Sequence, residues 1–217
     1  MEDLLRNQFV SVINAERIGT APPWTAEPIV RYEDISDCQF DVVDSKDDPT
    51  TIKREFRQGT ASYINGKGYT LRFVSFDDYL HQFVYDDGQG NTQKSMFKQH
   101  KKMADLLVCD KTGDSVYFLV HELCVGSIAN KRAKAKIQLS STLNMLYKSN
   151  EVKDFINSFD NKICYLSAND GRIATPKQVA EGFMNSYDII PDPSPFTFGK
   201  IKTYGFTAYE TSIIDLK

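Results

Sequence analysis

Two strongly apolar segments separated by a short polar stretch constrain the fold of this chain more than any other feature. MADLLVCD (103–110) has six apolar residues out of eight, and VYFLVHELCV (116–125) is rich in β-branched and aromatic residues. KTGD between them is typical of a turn. Such runs predict strands that are covered on both faces, so Ala104 to Val125 is expected to form a central pair of strands.

A long amphipathic helix is predicted directly after these strands. In KRAKAKIQLSSTLNMLYKS (131–149), apolar residues such as Leu139 and Leu143 fall on one stripe at about 100° per residue. EVKDFINSF then predicts a second helix, and KICYLSA predicts another strand. This order of elements predicts an α/β (α+β) fold with a mixed central sheet flanked by helices.

The rest of the chain gives shorter patterns. We expect a helix within the first twenty residues and a short helix opened by Pro49. The Asn65-Gly66-Lys67-Gly68 stretch between two β-rich runs predicts a hairpin. A helix is expected in KQVAEGFMNSY, after Pro176, and a terminal pair of strands in FGKIKTYGF and TAYETSIID.

Length and composition indicate one soluble globular domain. The chain has 217 residues, of which 41% are apolar and 25% charged, and it lacks the roughly 18 consecutive apolar residues of a membrane span. We expect a single domain over 1–217, with its core at about 100–170. A helix and a loop-rich segment occupy 1–99, and a helix with strands occupies 171–217. The opening MEDLLRNQF does not resemble a signal peptide, so a cytoplasmic location is expected.

Charge is unevenly distributed along the chain. Lys94 to Lys136 contains nine Lys or Arg against four Asp or Glu, a net +5, whereas the remainder carries −8. A basic stripe in an acidic protein is compatible with a phosphate-binding surface, although such a run is more often a solvated face. The candidate nucleic-acid-binding residues are Lys98, Lys101, Lys102 and Lys134. In KSMFKQHKK (94–102), Phe97 and His100 lie between lysines and are candidates for stacking on a base.

Two carboxylates lie inside the apolar strands, where a charge must be paired or bind a metal. They are Asp105 and Glu122. If the two residue numbers of each cross-strand pair sum to 225 or 227, both acids lie on one face of the sheet. They are then directly opposite each other or one diagonal step apart. Both then reach one hard divalent cation, Mg²⁺ or Mn²⁺. A three-residue loop would instead place them on opposite faces. In the alternative interpretation without a metal, Asp105 is solvated and Glu122 pairs with Lys131 or Arg132.

Other kinds of site have little support. The chain has no Walker loop, dinucleotide-binding glycine motif, H-E-x-x-H or G-x-S-x-G, and its four cysteines show no C-x-x-C spacing. A thiol enzyme using Cys124 with His121 as its base is disfavoured, because these residues point to opposite faces of a regular strand.

The spacing of these residues resembles the PD-(D/E)XK, or restriction-endonuclease-like, nuclease superfamily. An Asp at the start of one strand, a Glu near the end of the next and a basic helix carrying Gln138-Leu139 form the resemblance, which covers about Lys102 to Tyr147. It implies a Mg²⁺-dependent nuclease, a hydrolase that cleaves phosphodiesters, with Asp105 and Glu122 binding the metal.

The sequence departs from the family pattern at two positions. Cys124 stands where the family has a lysine, and Ala104 stands where it has a proline. A lysine displaced onto the following helix, Lys131, is the candidate replacement. Lys131 and Gln138 are expected to face the site, with Lys134 farther from it.

The resemblance also suggests an upstream acid, for which Glu55 is a candidate. The alternative to catalysis is an inactive nuclease-like scaffold that binds nucleic acid or a protein partner. A homodimer is compatible with either interpretation.

Overall fold

The computed structural model describes residues 1–44, 51–56, 59–88, 93–97, 102–126, 128–169 and 193–217. Helices flank the sheets. A π-helical segment, Leu4–Gln8, runs into α1 (Phe9–Glu16), followed by α2 (Phe76–His81), α3 (Ile128–Leu146), α4 (Asn150–Asn157) and α5 (Gly199–Lys202). The strands are β1 (Tyr32–Ile35), β2 (Gln39–Val43), β3 (Thr51–Lys53), β4 (Ala61–Ile64), β5 (Leu71–Ser75), β6 (Val84–Tyr85), β7 (Lys94–Ser95), β8 (Leu106–Asp110), β9 (Tyr117–Val125), β10 (Asn161–Asn169), β11 (Ser194–Pro195), β12 (Thr207–Glu210) and β13 (Ile213–Asp215).

A large mixed sheet forms the centre of the protein. Its strand order is β1-β5-β8-β9-β10-β12-β11, and a smaller sheet has the order β13-β4-β2-β3. β8 and β9 are antiparallel, whereas β9 and β10 are parallel and are connected through α3 and α4. The expected mixed α/β fold is therefore present. The large sheet also takes strands from the first 99 residues, so it extends beyond the core expected at 100–170.

The two faces of the large sheet bury different partners. On one face, side chains such as Leu107 and Val120 join a core with the helices, including Leu139 of α3. On the other face, side chains such as Leu119 and Leu123 pack with the small sheet. This alternation explains why β8 and β9 are apolar at nearly every position.

A buried polar chain connects the two sheets. Tyr63 of β4 contacts Nδ1 of His121 at 2.8 Å, and Nε2 of that ring contacts Ser167 Oγ at 2.8 Å. Ser167 Oγ donates to the Thr211 carbonyl at 2.5 Å, so the ring donates from Nε2 and accepts at Nδ1. Every polar atom of the buried imidazole is thus satisfied.

The predicted hairpin around residues 65–68 is wrong. The strands on either side form as expected, but β4 pairs with β2 and β13, while β5 pairs with β1 and β8. Asn65 is fully buried and bonds both the backbone N–H and the carbonyl of Tyr69, at 2.9 and 2.8 Å. This turn carries the chain from one sheet to the other.

Two further expectations are also wrong. The residues after Pro49 form strand β3 and not a helix, because Thr51 to Lys53 pairs with β2. FGKIK forms α5 and not a strand. The helix expected after Pro176 lies outside the described residues. Among those that are described, no helix combines the length and apolar character that a bilayer crossing requires.

Candidate functional site

The acid pair is brought together by the register of β8 and β9. Leu106 pairs with His121 and Leu107 with Val120, so paired residue numbers sum to 227, one of the two expected values. Continued by one residue, the same register places Asp105 directly opposite Glu122. Their parity matches that of Leu107 and Val120, which face the helices. Both acids therefore lie on the helical face of the sheet.

Hydrogen bonds to both the side chain and the backbone carbonyl hold Asp105 in place. Its Oδ2 accepts a hydrogen bond from the Leu123 N–H at 2.6 Å. Its carbonyl accepts from the N–H groups of Phe76 and Asp77, at 2.8 and 3.4 Å. The start of α2 is thus bonded to the residue that immediately precedes β8, which places Asp77 beside the acid pair.

A cleft of about 440 Å³ opens over the pair. Its lining residues come from α2, from Ser95, Phe97 and Lys102, from Asp105 just before β8, from the end of β9, from α3 and from Asp44 after β2. The residues that line it are Asp44, Asp77, His81, Ser95, Phe97, Lys102, Asp105, Glu122, Leu123, Cys124, Lys131, Lys134 and Gln138.

Burial makes both acids of the pair unusually weak. Desolvation raises the pKa of Glu122 to about 10, and the neighbouring Asp105 raises it further in the same direction. Desolvation also raises the pKa of Asp105, to about 7, against the lowering effect of the Leu123 hydrogen bond. Such shifts identify groups that the fold keeps in place at a cost to stability, which is typical of functional sites.

Glu122 does not find a partner in the described part of the chain. Its side chain is only 4% exposed, and Oε2 has no hydrogen-bond partner among the described residues. Arg132, which the alternative interpretation offered as a partner, instead forms a two-point ion pair with Glu210, at 2.5 and 2.7 Å. Lys131 lines the cleft and forms no ion pair with another residue in the described ranges.

The predicted lysines fall into two groups. Lys102, Lys131 and Lys134 all line the cleft, whereas Lys98 and Lys101 lie outside the described residues. Lys134 lowers the pKa of both Asp105 and Glu122. It was expected to lie farther from the site than Lys131, but a long flexible side chain reaches a cleft that its backbone position only borders.

Gln138 reaches the site as the sequence predicted. It lines the cleft, is 6% exposed and donates from Nε2 to the Met103 carbonyl at 3.0 Å. Thr142, one turn later, accepts from the Ala104 N–H at 2.8 Å. These two bonds fasten the residues just before Asp105 to α3.

Asp44 and Asp77 are the acids that sequence reasoning missed. Desolvation raises the pKa of each, and both contribute to the cleft. Asp77 had a usable signal, since it lies in the first turn of a helix that follows a β-rich run. Asp44 comes from another sheet and had none. Glu55, the acid suggested by the resemblance, is exposed and does not line the cleft.

The thiol interpretation is excluded by side-chain direction, as expected. The His121 ring contacts Tyr63 on the small-sheet face, whereas Cys124 packs with Ala135 on the helical face. Burial raises the pKa of the Cys124 thiol to about 12. Phe97, suggested for base stacking, is only 8% exposed and packs against Phe83 at 6.2 Å between ring centroids.

The side chains present fit a hard divalent cation that keeps part of its water. No three His, Cys, Asp or Glu side chains in the described ranges form a metal-binding group. A buried carboxylate oxygen without a partner beside a second carboxylate is nevertheless the donor type that Mg²⁺ uses, because Mg²⁺ binds through one or two carboxylates plus waters and substrate phosphates.

Comparison with known proteins identifies no relative: no protein-family model matches the chain, and neither a curated protein nor a solved structure is found to be similar.

Proposed function

We propose that this protein is a metal-dependent phosphodiester hydrolase, a nuclease acting on nucleic acid through Asp105 and Glu122. The observation that carries the proposal is the buried Oε2 of Glu122, which lacks a partner among the described residues and lies in a cleft directly opposite a second carboxylate. A buried carboxylate in this position destabilises the protein unless something binds it.

The order of the elements agrees with what the PD-(D/E)XK resemblance implies. Asp105 immediately precedes β8, Glu122 lies near the end of β9, and α3 carries Gln138. The next strand, β10, returns parallel to β9. This order of acids, strands and helix supports the proposal.

Asp105 and Glu122 would hold Mg²⁺ or Mn²⁺ as shared carboxylate ligands. When bound, such an ion polarises the phosphate and lowers the pKa of a coordinated water. Hydrolysis of a phosphodiester would add one water across a P–O ester bond, so that phosphorus gains the water oxygen and the leaving oxygen departs as an alcohol with a proton.

The lysines supply the charge that the phosphate needs. Cys124 cannot replace the family lysine, because its buried thiol stays neutral. Lys131 and Lys134 extend from the first turns of α3 into the cleft, and Lys134 acts electrostatically on both acids. We therefore assign Lys134 to the reacting phosphate and Lys131 to a neighbouring one. Lys102, which also lines the cleft, gives the substrate a third cation.

An inactive scaffold that retains nucleic-acid or protein binding is the second candidate. The neutral thiol of Cys124 favours it, because the family places a lysine at that position. The basic residues around the cleft would then bind phosphates without cleaving them.

The test is cleavage of labelled single- and double-stranded DNA and RNA with Mg²⁺, Mn²⁺ or EDTA. We expect metal-dependent cleavage by the wild type, loss of cleavage in Glu122→Gln and no loss in Glu27→Gln, which changes an exposed carboxylate. Retained binding with a steep salt dependence, but no cleavage in any metal, would support the scaffold instead.

A further inference from the structure

Two residues that line the same cleft each carry a buried oxygen without a partner. One is Oε2 of Glu122, and the other is Oε1 of Gln138. Their residues are 4% and 6% exposed, and neither oxygen has a hydrogen-bond partner within the described ranges. A buried polar atom without a partner destabilises the protein, so two at one site indicate a ligand that satisfies both.

The orientation of the Gln138 amide is determined by its neighbour. Nε2 donates to the Met103 carbonyl at 3.0 Å. A flipped amide would place two acceptor oxygens against each other, so Oε1 must be the atom that points away from Met103. The atom of Gln138 that is left without a partner is therefore an acceptor, and not a donor.

The same contacts place Gln138 next to the acid pair. Met103 and Ala104 directly precede Asp105 in the chain, and both are bonded to α3, at Gln138 and Thr142 respectively. Thr142 in turn donates to the Gln138 carbonyl at 3.0 Å. The position of the amide oxygen is thus coupled to that of Asp105 through short, buried hydrogen bonds.

We infer that Oε1 of Gln138 is a third oxygen ligand of the divalent cation, beside Asp105 and Glu122. The inference rests on the proposed function, since it completes the same site. Hard divalent cations accept amide oxygens together with carboxylates. Two ionised carboxylates and one neutral amide would balance the charge of the ion. This set includes an amide, which explains how a site forms where no three acidic, imidazole or thiol groups converge in the described part of the chain.

Two substitutions separate a ligand from a structural amide. Gln138→Met removes both the oxygen and the Met103 bond. Gln138→Glu also removes the donor to Met103 but supplies a charged oxygen in place of the neutral one. If Oε1 is a ligand, Gln138→Met weakens cation binding and Gln138→Glu strengthens it. If the amide is only structural, both substitutions change cation affinity in the same direction. Asn144→Ala, on the same helix but outside the cleft, is the control.

The measurements are Mn²⁺ affinity by electron paramagnetic resonance and the number of waters on bound Tb³⁺ by luminescence decay in H₂O and D₂O. We expect Gln138→Met to weaken Mn²⁺ binding at least about tenfold. This is the lower end of the loss in metal affinity that is typical when residues hydrogen-bonded to metal ligands are mutated. The same substitution should also add about one water to bound Tb³⁺. Gln138→Glu should bind Mn²⁺ more tightly than the wild type.

The outcomes distinguish the two proposals. If the wild type binds Mn²⁺ and Glu122→Gln abolishes binding, but Gln138→Met changes neither affinity nor hydration, this inference is overturned and the two-carboxylate site stands. A weakening of equal size in Gln138→Met and Gln138→Glu would also overturn it in favour of a structural amide. If the wild type binds no cation, both proposals fail together.

Discussion

Replacing Glu122 by glutamine is expected to stabilise the cation-free protein. Desolvation and the neighbouring Asp105 raise the pKa of Glu122 from 4.5 to about 10. Between these values the folded state holds a proton that the unfolded state has released, so the stability of the wild type falls as pH rises through this window. Glutamine is neutral in both states and lacks this dependence.

The magnitude follows from the pKa difference. Each pH unit within the window is worth about 1.36 kcal/mol. At pH 7, which is 2.5 units above the ordinary value of 4.5, Glu122 destabilises the fold by about 3 kcal/mol relative to a neutral isostere. Between pH 6 and pH 8 the advantage of Glu122→Gln should grow by about 2.7 kcal/mol. This growth is independent of any constant packing effect of the substitution.

The assay is urea denaturation in EDTA at pH 6, 7 and 8, with Glu27→Gln as the exposed control. We expect the free energy of unfolding of Glu122→Gln to exceed that of the wild type increasingly with pH, while the control follows the wild type. A stability difference that stays constant between pH 6 and pH 8, or that shifts in favour of the wild type as pH rises, would refute the reasoning that Glu122 is buried as an unpaired acid.

Three further outcomes are expected. Lys134→Ala should reduce metal-dependent cleavage more than Lys131→Ala, because Lys134 acts on both acids; equal losses in kcat would contradict that assignment. Burial lowers the pKa of His121 from 6.5 to about 3, so its contribution to stability is lost as pH falls through this window. The stability advantage of the wild type over His121→Gln should therefore shrink by about 1.36 kcal/mol per unit below pH 6.5 in urea denaturation, and a constant advantage would disprove it. Cys124→Ser should retain cleavage, since the thiol is neutral, and loss of cleavage in a folded variant would reopen the thiol mechanism.

The acid pair was predictable because strand geometry is simple. Side chains alternate with a period of two, so any odd sum of paired residue numbers places Asp105 and Glu122 on one face, and only an even sum, as with a three-residue loop, would separate them. The apolar character of both strands likewise predicted that helices or a second sheet would cover both faces.

The small sheet and the rest of the cleft were not predictable in this way. The Asn-Gly signal at residues 65–66 usually closes a hairpin, but Asn65 uses its side chain to bond Tyr69 and directs the next strand into another sheet. Asp44 reaches the cleft only because of that packing. The Gln138 amide is fixed by the Met103 carbonyl, a contact 35 residues apart that no local pattern encodes.

Mn²⁺ titration followed by electron paramagnetic resonance tests most directly whether Asp105 and Glu122 share one cation. We expect one tightly bound ion per chain in the wild type, and loss of that ion in both Asp105→Asn and Glu122→Gln while each variant remains folded. Undiminished Mn²⁺ binding in either folded variant would contradict a shared site.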